Sequence, residues 1–270
     1  MDHFAYCEAL VREGDKDRFL ATLFAPEKAR RQLFALYAFD LEIARVSERV
    51  TEPLAGEIRL QWWRDVLAGT RAGEARAHPP AAALFDTVVR ARLPVHTLLD
   101  LVDARGFDLQ RQPIENIAAL EEYGRKTAST LIDLAATILD GQPSVAVAAA
   151  AEPAGIAYAI TRVLRGPRRR FFLPLETLRL HGARTEDALG GKVTPQLCAA
   201  LGDLRDVARM NYQKYVAQRA DLPAEVRPAF LPLALVPLYL RRLERAHPFG
   251  RIEAAHWRRQ WALWREARRP

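Results

Sequence analysis

Arginine is the residue type in this sequence best placed to do chemistry. Arg162, Arg165, Arg168, Arg169 and Arg170 fall within a nine-residue window that contains no acid, where AGIAYAITRVL runs into RGPRRRFFLP. A guanidinium offers a planar fork of donors that matches carboxylate or phosphate oxygens in pairs. A helix dipole favours cations only in the last turn, so it does not account for five of them. Either the cluster meets acids elsewhere in the fold, or it holds an anion such as a phosphate.

Other chemistries lack their residues. The six histidines are scattered, with no HExxH and no paired spacing, and Cys7 and Cys198 form no CxxC pair, so neither a metal site nor a disulfide framework is expected. No glycine-rich phosphate loop, dinucleotide fingerprint or GxSxG elbow is present. The net charge of +7 and a pI near 9.7 suit acidic partners. Without a recognisable nucleic-acid fold, nucleic acid is an unlikely partner and anionic lipid or a phosphorylated ligand the better one.

The elements that would position these residues are helices. From Pro26 to Val50 the apolar positions Leu33, Phe34, Leu36, Tyr37, Phe39, Leu41, Ile43 and Val46 predict a helix apolar over most of its circumference, which belongs inside a fold. Its last turns gain Glu42, Arg45, Glu48 and Arg49, with Glu42 and Arg45 at pairing distance along the helix. Further helices are predicted over 15–25, 54–68, 81–92, 94–105, 117–139, 154–165, 194–219, 231–246 and 251–267. Residues 69–80 and 173–190 read as connections rich in turn-forming or polar residues. The small residues in YGRKTAST, 123–130, favour close helix approach over an open ligand space. No β-alternation and no 20–50-residue repeat occurs, so one all-α domain over residues 1–270 is expected, with a core at about 15–220.

RFLATLFAPEKARRQLFALYAF (18–39), LLDLVDARGFDL (98–109), EEYGRKTASTLIDLAATILDG (121–141) and ITRVLRGPRRRFFLP (160–174) resemble, in order, segments of the squalene/phytoene synthase family. The resemblance implies the all-α isoprenoid synthase fold with a central cavity, for which Tyr37, Tyr123 and Ser129 are the expected lining. In those enzymes two Asp-rich motifs hold Mg²⁺ ions that bind prenyl diphosphates.

At the matching positions the acids are missing. The first motif reads Ala44-Arg45-Val46-Ser47-Glu48, and only Glu48 keeps a carboxylate; the second reads Arg162-Val163-Leu164-Arg165-Gly166. Guanidiniums in place of anions repel a divalent cation. Asp40 and Glu48 lie eight residues apart, about 12 Å along a helix, so they do not restore the site. No metal is therefore expected, and Arg45, Arg162, Arg165, Arg168, Arg169 and Arg170 become candidates for holding an anion directly. Mg²⁺ belongs only to the alternative, a prenyltransferase with an altered site using Glu48, Asp65 or other acids.

A divergent branch with similarly eroded motifs matches better. LEIARVSERVTEPLAGEIRLQWWRDVL (41–67), GPRRRFFLPLETLRLHG (166–182) and AFLPLALVPLYLRRLERAHPF (229–249) look like the squalene/phytoene-synthase-like assembly factors of respiratory complex I. That resemblance implies a non-catalytic role with complex I subunits or assembly intermediates as partners. At the C-terminus, Trp257, Trp261 and Trp264 recur at i, i+4 and i+7 among five arginines. They either close the core or form a membrane-contact face on anionic lipid. The N-terminus has neither the basic start nor the apolar run of a signal peptide, and the apolar run 230–240 is short and broken by prolines. A cytoplasmic protein, peripheral on the inner membrane, is the expectation.

Overall fold

The computed structural model describes residues 2–110, 112–166, 172–245, 247–250 and 252–269, and among them every regular element is helical. In chain order these are α1 (His3–Gly14), α2 (Lys16–Thr22), α3 (Glu27–Ala44), α4 (Val46–Arg49), α5 (Pro53–Leu67), α6 (Ala72–Ala77), α7 (Pro79–Ala91) and α8 (Val95–Gln110). Then follow α9 (Ile117–Gly124), a π-helical segment (Arg125–Ser129), α10 (Thr130–Asp140), α11 (Val145–Arg165), α12 (Leu175–Leu180) and α13 (Thr185–Gly190). The last are α14 (Pro195–Gln218), α15 (Arg227–Phe230), α16 (Val236–Leu243) and α17 (His256–Ala267), with short 3₁₀ turns between α14 and α16.

Local chemistry sets many of these boundaries. The carboxylates of Asp2 and Asp15 accept backbone N–H groups of Phe4 and Arg18 and so cap α1 and α2; Asn116 and Thr194 do the same for α9 and α14. Proline, which needs no N–H partner in the first turn, opens α5, α7 and α14.

Two compact units share the chain. The first comprises Met1–Gln110, Thr130–Ala148 and Pro223–Leu231. Its centre is α3, against which α1, α7, α8 and α10 pack, and Leu33, Leu36, Phe39, Leu41 and Ile43 have almost no exposed surface. The second comprises Arg111–Ser129, Ala149–Leu222 and Pro232–Pro270, with α14 packed on α12 and α16.

Several predicted boundaries change. The helix expected over 26–50 breaks at Arg45, and Glu42 pairs with Arg49 at 3.5 Å, a partner the predicted i,i+3 pairing with Arg45 did not include. The connection at 69–80 contains α6, tied down because Trp62 Nε1 donates to Glu74 at 2.8 Å. The connection at 173–190 holds α12 and α13, and α1 occupies the unassigned N-terminus. The predicted helix 117–139 carries a π segment at the small-residue stretch. There the Ser129 hydroxyl donates to the Glu152 carbonyl at 2.8 Å, and a Cβ on Gly155 would overlap the Ser129 backbone. This is close helix approach in its strictest form. Among the described residues one helix, α11, is long and apolar enough to cross a bilayer, and 72% of its apolar window is buried in the protein.

Candidate functional site

The first degenerate motif lies at the end of α3. Asp40, one turn earlier, sits among Leu36, Tyr37, Phe39, Leu41 and Ile43 with no exposed surface. An ionised carboxylate so buried needs compensating charge and hydrogen bonds. It has both: Arg18 Nη1 donates to Oδ2 and Arg105 Nη2 to Oδ1, each at 2.6 Å. Asp15 and Asp108 lie behind the two guanidiniums, at 3.6 Å from Arg18 and 3.7 Å from Arg105. Arg18 also stands 5.3 Å from the ring centre of Tyr37, the expected cavity residue, whose phenol burial pushes up to about 12. A largely buried cluster of Asp15, Asp40 and Asp108 with Arg18 and Arg105 thus surrounds the C-terminal part of α3.

Downstream, Ala44 offers no donor and Glu48 is exposed. The Arg45 guanidinium rests where α1 ends, against Gly14, where any Cβ would overlap it. Among the described residues no group of three or more His, Cys, Asp or Glu is arranged to hold a metal ion. A divalent cation needs several oxygen ligands at about 2.0–2.6 Å. Asp40, the buried acid one turn before the motif, has both carboxylate oxygens engaged by guanidiniums.

The second motif ends α11. Arg165 places its guanidinium carbon 3.2 Å from the ring centre of Tyr239 and its Nε 3.4 Å from the Ile252 carbonyl. Internal partners therefore account for part of this arginine's contacts. Arg162 is half-buried, as are Arg165 and Gly166. Arg168, Arg169 and Arg170 lie outside the described residues. Of the other expected lining residues, Tyr123 packs its ring 5.0 Å from Phe172, and Ser129 is buried against Gly155.

On α17 the tryptophans point outward. Trp257, Trp261 and Trp264 are 64%, 55% and 45% exposed, so the reading in which they close the core is corrected: Leu263 and Arg259 do that instead. Arg259 is buried because its Nε and Nη2 both donate to the Ala254 carbonyl, at 3.0 and 2.8 Å.

Sequence reasoning passed over Arg18 and Arg105. The available signal was Asp40 itself, an acid on a helix apolar all round, which must find cationic partners somewhere in the fold.

An all-helical chain with eroded acidic motifs at the ends of two apolar helices corresponds to one class of protein. The squalene/phytoene synthase family matches residues 11–265, and the chain belongs to that family. Among curated relatives it is 30% identical to NADH dehydrogenase (ubiquinone) complex I, assembly factor 6, of Homo sapiens, over 90% of this chain and 74% of that protein. It is 26% identical to the phytoene synthase of Arthrospira platensis, over 90% and 84%. A dehydrosqualene synthase crystal structure superposes with a TM-score of 0.82 at 20% identity, covering 98% of this chain and 95% of the other. Squalene synthase HpnC from Alicyclobacillus acidocaldarius gives 0.77, covering 93% and 95%. The fold is accordingly that of the isoprenoid synthases.

Proposed function

We propose that this chain is a non-condensing member of its family that serves the assembly of respiratory complex I at the membrane surface. The observation that carries the reading is the engagement of Asp40. Where the enzymes' first motif gathers carboxylates for Mg²⁺, this chain has Ala44 and Arg45, and both oxygens of its buried acid face guanidiniums. Coulomb repulsion then opposes a metal-bridged diphosphate pair, whereas the arginines Arg162 and Arg165 at the end of α11 suit a phosphate held without metal. The 30% identity to complex I assembly factor 6 supports the assembly role, with complex I subunits or assembly intermediates as partners. A cytoplasmic protein peripheral to the inner membrane fits that role.

The test is rescue. Human cells lacking their complex I assembly factor 6 would express this chain with a mitochondrial targeting segment, and complex I would be followed on native gels. Restored complex I supports the proposal; none, with the protein folded and imported, counts against it.

The second reading is a prenyltransferase with an altered metal site, favoured by the similarity to phytoene synthases across nine-tenths of this chain. It requires Mg²⁺-dependent turnover of a prenyl diphosphate.

A further inference from the structure

Helix α17 has two faces with different tasks. Its inner face is fixed within the second unit: Leu263 has no exposed surface, Arg259 grips the Ala254 carbonyl, and Glu266 accepts from Arg219 Nη1 at 2.6 Å. The exposed tryptophans are therefore the outer face of an anchored helix, not the core face of one that has come loose.

That outer face joins aromatic and cationic groups at one level. The guanidinium carbons of Arg258, Arg265 and Arg268 stand 5.1, 4.9 and 4.3 Å from the ring centres of Trp257, Trp261 and Trp264. Beside them runs a groove of about 490 Å³, with Pro237, Leu238 and Ala262 on its apolar floor and Arg241, Arg258 and Arg265 among its lining. Among the described residues, no carboxylate lies within ion-pair distance of Arg241, Arg258, Arg265 or Arg268. Glu266, the acid in the groove, is held by Arg219 and by Arg269 at 3.0 Å.

Three exposed indoles and four uncompensated guanidiniums on one face call for a partner that is apolar and anionic at nearly the same depth. A bilayer interface has this composition, because indoles settle at the headgroup boundary while arginines reach the phosphates beside them. We infer that the outer face of α17, with its adjoining groove, is the docking surface for an anionic phospholipid membrane. The inference rests on the membrane-surface reading above and adds to it the face and the lipid charge.

The experiment uses the full chain with vesicles of phosphatidylcholine alone and of phosphatidylcholine mixed with phosphatidylglycerol. Binding is read by flotation, and insertion by quenching of tryptophan emission with brominated acyl chains. The wild type should bind the mixed vesicles and not the neutral ones, with quenching. Arg258→Gln with Arg265→Gln should weaken binding by about 5-fold per charge removed. Trp257→Ser with Trp261→Ser and Trp264→Ser should abolish quenching of the bound protein. Circular dichroism checks the fold; should the tryptophan variant unfold, the arginine pair, exposed and away from the core, decides alone.

Wild-type binding that both variants retain in full overturns the assignment of this face while leaving the membrane-surface reading intact. Failure of the wild type to bind either vesicle overturns both. If the wild type binds no vesicle but the tryptophan face is needed to retain complex I intermediates, the face docks protein and the lipid assignment is wrong.

Discussion

Arg105 and Asp40 stand 65 positions apart in sequence and 2.6 Å apart in space, Nη2 against Oδ1, and Arg18 completes the contact on the other carboxylate oxygen at 2.6 Å. The pair joins α8 to α3 at a place where Asp40 is wholly buried, so the charges balance one another where water does not.

Removing the acid alone should therefore be costly. Asp40→Ala takes from Arg18 and Arg105 the buried carboxylate they share, leaving them only Asp15 and Asp108 at 3.6 and 3.7 Å, and is expected to lower stability by about 3–5 kcal/mol in urea unfolding. Replacing Asp40, Arg18 and Arg105 together with Leu should not recover that loss, since it takes the guanidiniums away from the largely buried carboxylates of Asp15 and Asp108. A single-variant loss below about 1 kcal/mol would mean that the network does not hold α3 in place.

Gly155 is constrained by contact. Its Cα faces the Ser129 backbone so closely that Gly155→Ala forces two helical segments apart, because backbone, unlike a flexible side-chain end, has nowhere to turn. Overpacking of this kind costs about 1–3 kcal/mol, occasionally more. A clear drop in thermal midpoint is expected, whereas Gly141→Ala, with open space around its Cβ position, tests only backbone strain at φ 86°. An unchanged midpoint for Gly155→Ala would refute the close approach.

How far these features were visible beforehand depends on their range. The apolar stripe of α3, the capped and proline-opened α14, and the loss of acids at Ala44, Arg45 and Gly166 are local, and periodicity or position in the chain exposes them. The pairing of Asp40 with Arg18 and Arg105 is not local: separations of 22 and 65 residues leave no periodic trace. Helix α6 was hidden because Gly69, Gly73 and two prolines suggested a loop, while its anchor, Trp62 to Glu74, is a tertiary bond. For α17 the spacing of the tryptophans marked a face but not its direction, since a core face and a membrane face share the same period.

Asp133 supplies a pH test. It is half-buried, Oδ1 has no hydrogen-bond partner among the described residues, and burial raises its carboxyl above the ordinary 3.8. The unfolded chain then releases this proton at lower pH than the folded one, so the group's contribution to stability falls as pH rises past 3.8. Asp133→Asn should raise the urea midpoint at pH 7, and that gain should shrink to nothing below pH 3.8. A gain independent of pH would show that the carboxyl's ionisation is not its source.

The central claim is that this scaffold does not condense prenyl diphosphates through metal. Calorimetric titration of the purified chain with farnesyl diphosphate, with and without Mg²⁺, followed by product analysis, tests it most directly. The account predicts that any binding is indifferent to Mg²⁺ and that no product joining two farnesyl groups forms. Mg²⁺-dependent binding accompanied by such a product would contradict it.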